Sequence, residues 1–184
     1  MVGGGLYAKL LSLGIHGLKK EINDHRPGAE VSAIAFYDGL CSTLDTYAAI
    51  CGFYIRWINE NMAEAAPTLR RELLEIRASL CRIMAGSAQT LRDAIQMVLL
   101  WWYYAGDLNF ARMDTYLSGY YVRDVDSSRL TEAENLALLC ELWRMIVARR
   151  RPYDSRIVIG GRGRQNERDC DRFCLLAIKA TRTV

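Results

Sequence analysis

The chain has little with which to build a metal or redox centre. Its 184 residues include only two histidines, His16 and His25, and none of its six cysteines (Cys41, Cys51, Cys81, Cys140, Cys170, Cys174) belongs to a Cys-x-x-Cys pair. A metal site takes three or four ligands, and two separated histidines do not supply them. All six cysteines fall in helix-like segments, so the expectation is reduced, buried thiols that pack as small hydrophobes. Long apolar runs are missing too. The longest, Met97 to Ala105, falls well short of the ~20 residues a helix needs to cross a bilayer. The start, Met1 to Gly5, is glycine-rich where a secretory signal would carry a positive region and an apolar stretch. The expectation is a cytoplasmic protein with no membrane partner.

Charge of one sign is scarce as well. The net charge of +3 comes from 24 basic and 21 acidic residues, and the only block is Arg149 to Arg151. That balance gives no nucleic-acid footprint. Most of the basic residues are arginine, which suits ion pairs and carboxylate contacts. A hydrophobic fraction of 51% against 24% charged matches a folded chain and argues against disorder. The length fits one ordinary domain, so the reading is a single helical segment over 1–184.

What is present is helical periodicity. Leu6 to Asn23 carries Leu6, Leu10, Leu13, Ile15 and Leu18 at helical spacing and stops at Pro27-Gly28. Val31 to Met62 repeats apolar residues at three- and four-residue steps (Val31, Ile34, Cys41, Leu44, Cys51, Ile55, Ile58), which predicts a long helix with a buried stripe. Asp38 falls in that stripe, where an acid needs a buried arginine or a polar cavity. Further helices are expected over Leu69 to Met84, Thr90 to Ala105 and Met113 to Val125. A Thr131-x-x-Glu134 capping box opens another, running to Arg149, and the last covers Glu167 to Thr181. Pro152 closes this pattern, and Arg156-Ile157-Val158-Ile159 before Gly160-Gly161 is the one good strand signal. The fold class is therefore mainly α, six or seven helices and one short strand. A lone strand cannot satisfy its backbone groups, which points to missing partner chain.

Three stretches invite a chemical reading. Gly160-Gly161-Arg162-Gly163-Arg164, after a strand and before a helix, resembles a phosphate cradle. Its spacing fits neither a P-loop nor a dinucleotide fingerprint, and a tight turn is the favoured reading. Cys170 and Cys174 lie four apart on one helix face and are expected to pack. Trp101-Trp102-Tyr103-Tyr104 could stack a ligand, though an aromatic run in a buried helix is usually core.

Gln89-Thr90-Leu91-Arg92-Asp93-Ala94-Ile95-Gln96, Asn109-Phe110-Ala111-Arg112-Met113-Asp114-Thr115-Tyr116-Leu117 and Tyr120-Tyr121-x-x-Asp124 follow one another in that order. Leu130-Thr131-Glu132-Ala133-Glu134 with Leu142-Trp143 comes next, then Arg156 to Gly161 with Asn166-Glu167 and Ala180-Thr181-Arg182. This ordered set resembles the pyruvate formate-lyase-like glycyl radical enzymes, well from Thr90 to Val184 and more loosely before Ala85. Ala111 stands where that pattern usually has glycine, and Asn109 where it has serine.

The resemblance implies part of an α/β barrel ringed by helices, from a parent lyase or dehydratase of anaerobic metabolism that acts on a small polar substrate. It also implies a glycyl radical installed by a separate radical-SAM activating enzyme, and a homodimer among the parent's assemblies. The cysteine and glycine loops are expected beyond Val184, so no catalytic residue and no bound cofactor or metal are expected in this chain. Asn109, as a hydrogen-bonding partner of substrate, and Arg112, as its charge partner, are the implied substrate-binding residues. An Arg112–Asp114 or Arg112–Asp38 ion pair is the competing structural role for Arg112. The alternative from another class is a self-standing helical interaction module, a degenerate relative without catalysis.

Overall fold

The computed structural model describes residues 4–106, 109–150 and 156–184. The sequence readings at Met1 to Gly3, Asp107, Arg151 and Pro152 lie outside these. In chain order the elements are α1 (Gly4–Asp24), α2 (Val31–Asn61), a 3-10 turn (Met62–Glu64), α3 (Pro67–Ala85), α4 (Leu91–Ala105), β1 (Asn109–Arg112), α5 (Met113–Asp126), α6 (Glu132–Ala148), β2 (Arg156–Val158) and α7 (Glu167–Thr183). Each predicted helix is present, with ends within about two residues of those read from periodicity and capping. No helix among the described residues is long and apolar enough to cross a membrane.

The strand count is a correction. Arg156–Val158 is not alone: β1 pairs with it in parallel, in the register Asn109↔Arg156, Ala111↔Ile157 and Arg112↔Val158, with an irregularity between Asn109 and Ala111. Asn-Phe-Ala-Arg holds no β-branched residue, and Phe110 alone favours a strand, so its sequence carries little strand signal. What makes it a strand is a partner far along the chain.

The chain divides into two compact units: the described residues up to Leu11 together with Gln89–Val184, and Ser12–Ala88. In the second unit α2, the 3-10 turn and α3 form a helical hairpin. Leu44, Tyr47, Cys51 and Ile58 of α2 and Leu73, Leu80 and Ile83 of α3 are buried. α1 bends at Gly14 (φ 64°, ψ −175°). A side chain there would come within 2.5 Å of the Gly86 carbonyl oxygen, so the bend and the close approach both require glycine. Nearby, His16 Nε2 lies 3.0 Å from the Met84 carbonyl oxygen.

The buried stripe of α2 is shorter than expected. Leu44, Cys51 and Ile58 are inside, but Val31 and Ile34 are exposed, and so is Asp38, which pairs with Arg26 at 2.7 Å. The reason is length. α2 has 31 residues and α3 has 19, about 46 Å against about 28 Å of helix. α3 returns from the end of α2 and runs out before reaching its first turns. The cysteines divide similarly: Cys51, Cys140, Cys170 and Cys174 are buried as expected, Cys41 is intermediate, and Cys81 is exposed.

In the first unit α7 packs on α5 and α6, and α4 packs on both of those helices. α4 is capped from two directions. Thr90 and Asp93 form a reciprocal capping box, and the wholly buried Asp124 accepts from Leu91 N at 2.7 Å. A carboxylate at that position meets the positive end of the helix dipole. Arg129 Nη1, 3.1 Å from the other Asp124 oxygen, completes the pairing. Across the unit, Trp143 Nε1 donates to Thr181 Oγ1 at 2.9 Å, joining the Leu-Trp and Ala-Thr-Arg stretches of the sequence pattern.

Candidate functional site

The two parallel strands end side by side, and their carboxyl ends are where the chemistry-bearing residues meet. β1 delivers Arg112 there and leads directly into α5, which begins Met113-Asp114. β2 delivers Gly160 and Gly161, both at positive φ (80° and 88°), then the loop to α7. Ligands of parallel α/β sheets characteristically bind outside the carboxyl ends of the strands.

Asp114 is the centre of this arrangement and is wholly buried. Its Oδ2 accepts from Gly160 N at 3.1 Å and from Arg164 Nη1 at 3.3 Å, with Cys174 Sγ at 3.7 Å. Arg112 Nη2 lies 3.9 Å from the same oxygen and donates to Gly160 O at 2.6 Å. Gly160 is thus held from both sides, its N–H by the carboxylate and its carbonyl by the guanidinium. Arg164 is itself almost enclosed, at 5% exposure, and its Nη2 donates to Asp171 at 2.7 Å. That bond, ahead of the one to Asp114, raises the Arg164 pKa. Burial, then the neighbouring Asp114 charge, raises the Cys174 thiol pKa and keeps it protonated. Cys170 Sγ donates to the Asp114 backbone oxygen at 3.5 Å. Both α7 cysteines therefore serve as packing groups and weak donors around a buried carboxylate.

Arg112 is brought to this end with its side chain 37% exposed, a guanidinium anchored at one nitrogen and open at another face. Of the two structural pairings considered for it, Asp114 lies 3.9 Å away, while Asp38 is paired with Arg26. Three polar atoms in the cluster are enclosed without a hydrogen-bond partner: Arg112 Nε, Arg164 Nε and Asp114 Oδ1. Asn109, at the opposite end of β1, is half-buried, and its Oδ1 accepts from Ala111 N at 2.9 Å. The structure thus places Asn109 and Arg112 on one strand, three residues apart, with the side-chain amide nitrogen of Asn109 and part of the Arg112 guanidinium uncommitted by these bonds.

Behind β1 lies an aromatic stack. Phe110 sits between Trp102, at 5.0 Å between ring centres, and Tyr7, at 6.3 Å, and its carbonyl accepts from Tyr116 Oη at 2.7 Å. Arg149 covers Trp102 at 4.2 Å. Trp102 is therefore core, as the bland reading of the aromatic run expected, while Tyr103 is exposed.

Two amides of the glycine-rich turn are already taken. Gly160 N is given to Asp114 and Gly163 N to Glu167 Oε1 at 2.9 Å. Two carboxylates already hold these donors, which an incoming anion would have to displace. Among the described residues no group of three or more His, Cys, Asp or Glu side chains could hold a metal ion. Sequence reasoning missed two members of the site. Arg164 was read only as part of the turn, and Asp114 only as a partner for Arg112; the Arg-x-Asp spacing was the available signal.

The pyruvate formate lyase-like family model matches residues 4–184, and the chain belongs to that family. Solved structures share its fold. The glycerol-bound, B12-independent glycerol dehydratase from Clostridium butyricum superposes with a TM-score of 0.77 at 17% identity, covering 95% of this chain and 25% of that one. A structure describing 1,2-propanediol dehydration in Roseburia inulinivorans gives 0.72 at 18%, covering 85% and 20%. The hydroxyproline dehydratase of Clostridioides difficile, bound to trans-4-hydroxy-L-proline, gives 0.63 at 19%, covering 76% and 20%. None of the curated proteins compared matches the sequence. The chain thus spans only a fifth to a quarter of the length of the solved relatives.

Proposed function

We propose that this chain is one part of a glycyl radical lyase or dehydratase that acts on a small polar substrate, and that Asn109 and Arg112 contact that substrate. The observation that carries the reading is the family match over 4–184 together with Arg112 at the carboxyl end of a parallel strand, held by Gly160 and Asp114 yet partly open. Arg112 supplies a fixed positive charge and planar donors for a hydroxyl or carboxylate; Asn109 supplies its amide nitrogen. The three solved relatives named above act on, or hold, a diol, a triol and a hydroxylated amino acid, all small and polar. The radical itself belongs to residues this chain does not carry, and a radical-SAM activating enzyme would install it.

The test begins with the gene. A cysteine loop and a C-terminal Arg-Val-x-Gly-Tyr-like motif encoded after Val184 are the expected result, and their absence contradicts the reading. In the complete gene product, Arg112→Ala should then lower kcat/KM by about 100-fold, the order lost with a charge-assisted contact of 2–3 kcal/mol. Unchanged kinetics would remove Arg112 from the substrate site.

A further inference from the structure

β1 contains a backbone conformation that its sequence should resist. Ala111 has φ 49°, in the left-handed region where a Cβ meets the following carbonyl and where glycine is the ordinary occupant. The β1–β2 register is irregular at this same step, between Asn109 and Ala111. An extra residue in a strand of this kind re-aims the side chains that follow it. The next residue is Arg112, whose Nη2 reaches the Gly160 carbonyl at 2.6 Å.

One side chain answers the strain directly. Asn109 Oδ1 accepts the Ala111 N–H at 2.9 Å, two residues on. This is the geometry in which an asparagine side chain imitates a backbone turn. The bond satisfies the Ala111 N–H beside the irregular step, and it holds the chain in the bend. Asn109 and Ala111 are also the two positions where this stretch departs from the serine and glycine of the pattern it resembles, and here they touch.

We infer that Asn109 is a positioning residue: its side-chain oxygen locks the left-handed turn at Ala111 and so aims Arg112 at the carboxyl end of the sheet. The two departures act as a pair, the asparagine offsetting the cost of an alanine where glycine would bend freely. Asn109 therefore serves through Arg112 as well as through its own amide nitrogen. Arg112's part in binding substrate rests on the function proposed above, but the lock is a property of this loop and is tested without turnover.

The test is a double-mutant cycle in the full 184-residue chain, read by urea unfolding and by the Nε–H resonance of Arg112 in 15N-labelled protein, assigned with Arg112→Lys. Asn109→Ala should lower the folding equilibrium constant roughly fivefold when residue 111 is alanine, the effect of one lost hydrogen bond. In the Ala111→Gly background the loss should be less than about twofold. Asn109→Asp keeps the acceptor oxygen and should leave the Arg112 resonance in place, whereas Asn109→Ala should move it and Asn109→Ala with Ala111→Gly should return it. If Asn109→Ala alone fails to fold, recovery on adding Ala111→Gly supports the lock and failure to recover overturns it. Equal losses in both backgrounds, or an Arg112 resonance indifferent to Asn109→Ala, would also overturn it.

Discussion

Asp114 combines complete burial with a carboxylate, a costly pairing that is stable only because Gly160 N and Arg164 surround it. Asp114→Asn keeps the shape and removes the charge that Arg164 and Arg112 face. Unfolding in urea should show a loss of about 3 kcal/mol, the lower end for breaking a buried pair, because Arg164 keeps Asp171. The enclosed Cys51 makes a second residue-scale prediction. Burial raises its thiol pKa from 9.0 to about 11. The folded state holds this proton more tightly than the unfolded state, so the stability gained is whole below pH 9 and lost as pH rises toward about 11. Stability measured against pH should fall across that window, and the fall should be smaller in Cys51→Ala.

At the scale of elements the sequence was legible where the determinant is local. The capping box at Thr131 placed the start of α6, and the apolar pattern placed α4, each within a residue or two. β1 was not legible, since pairing with β2 makes it and those partners lie more than forty residues apart. The same separation hid the site: the family resemblance singled out Arg112, with Asp114 only as an ion-pair partner for it, but Arg164, fifty residues beyond Asp114, reaches it only through the fold. Asp38 was assigned to a buried stripe because periodicity tells which face of a helix is apolar, and not how far its partner extends. Gly14 is the clearest single determinant among the helices. Gly14→Ala places a methyl against the Gly86 backbone at positive φ, and thermal unfolding should register a loss of about 1–3 kcal/mol. Gly28→Ala, also at positive φ but with open space at its Cβ position, should cost no more than about 1–2 kcal/mol.

At the scale of the whole molecule, α2 exposes Val31, Phe36, Phe53, Tyr54 and Trp57, more large apolar side chains than one helix of a monomer usually leaves in water. A chain that spans a fifth to a quarter of its solved relatives is expected to have such surfaces. Light scattering on residues 1–184 alone should show concentration-dependent association, reduced by Phe36→Ser with Trp57→Ser. A monomer that unfolds cooperatively at every concentration would favour the self-standing helical module instead. The proposed function itself is decided most directly by electron paramagnetic resonance on the complete gene product, incubated anaerobically with its radical-SAM activating enzyme, S-adenosylmethionine and reductant. A glycyl radical signal from the complete protein, and none from residues 1–184 treated identically, is the expected result. A radical on this chain alone, or none on the complete protein while a known family member is activated in parallel, would contradict the account.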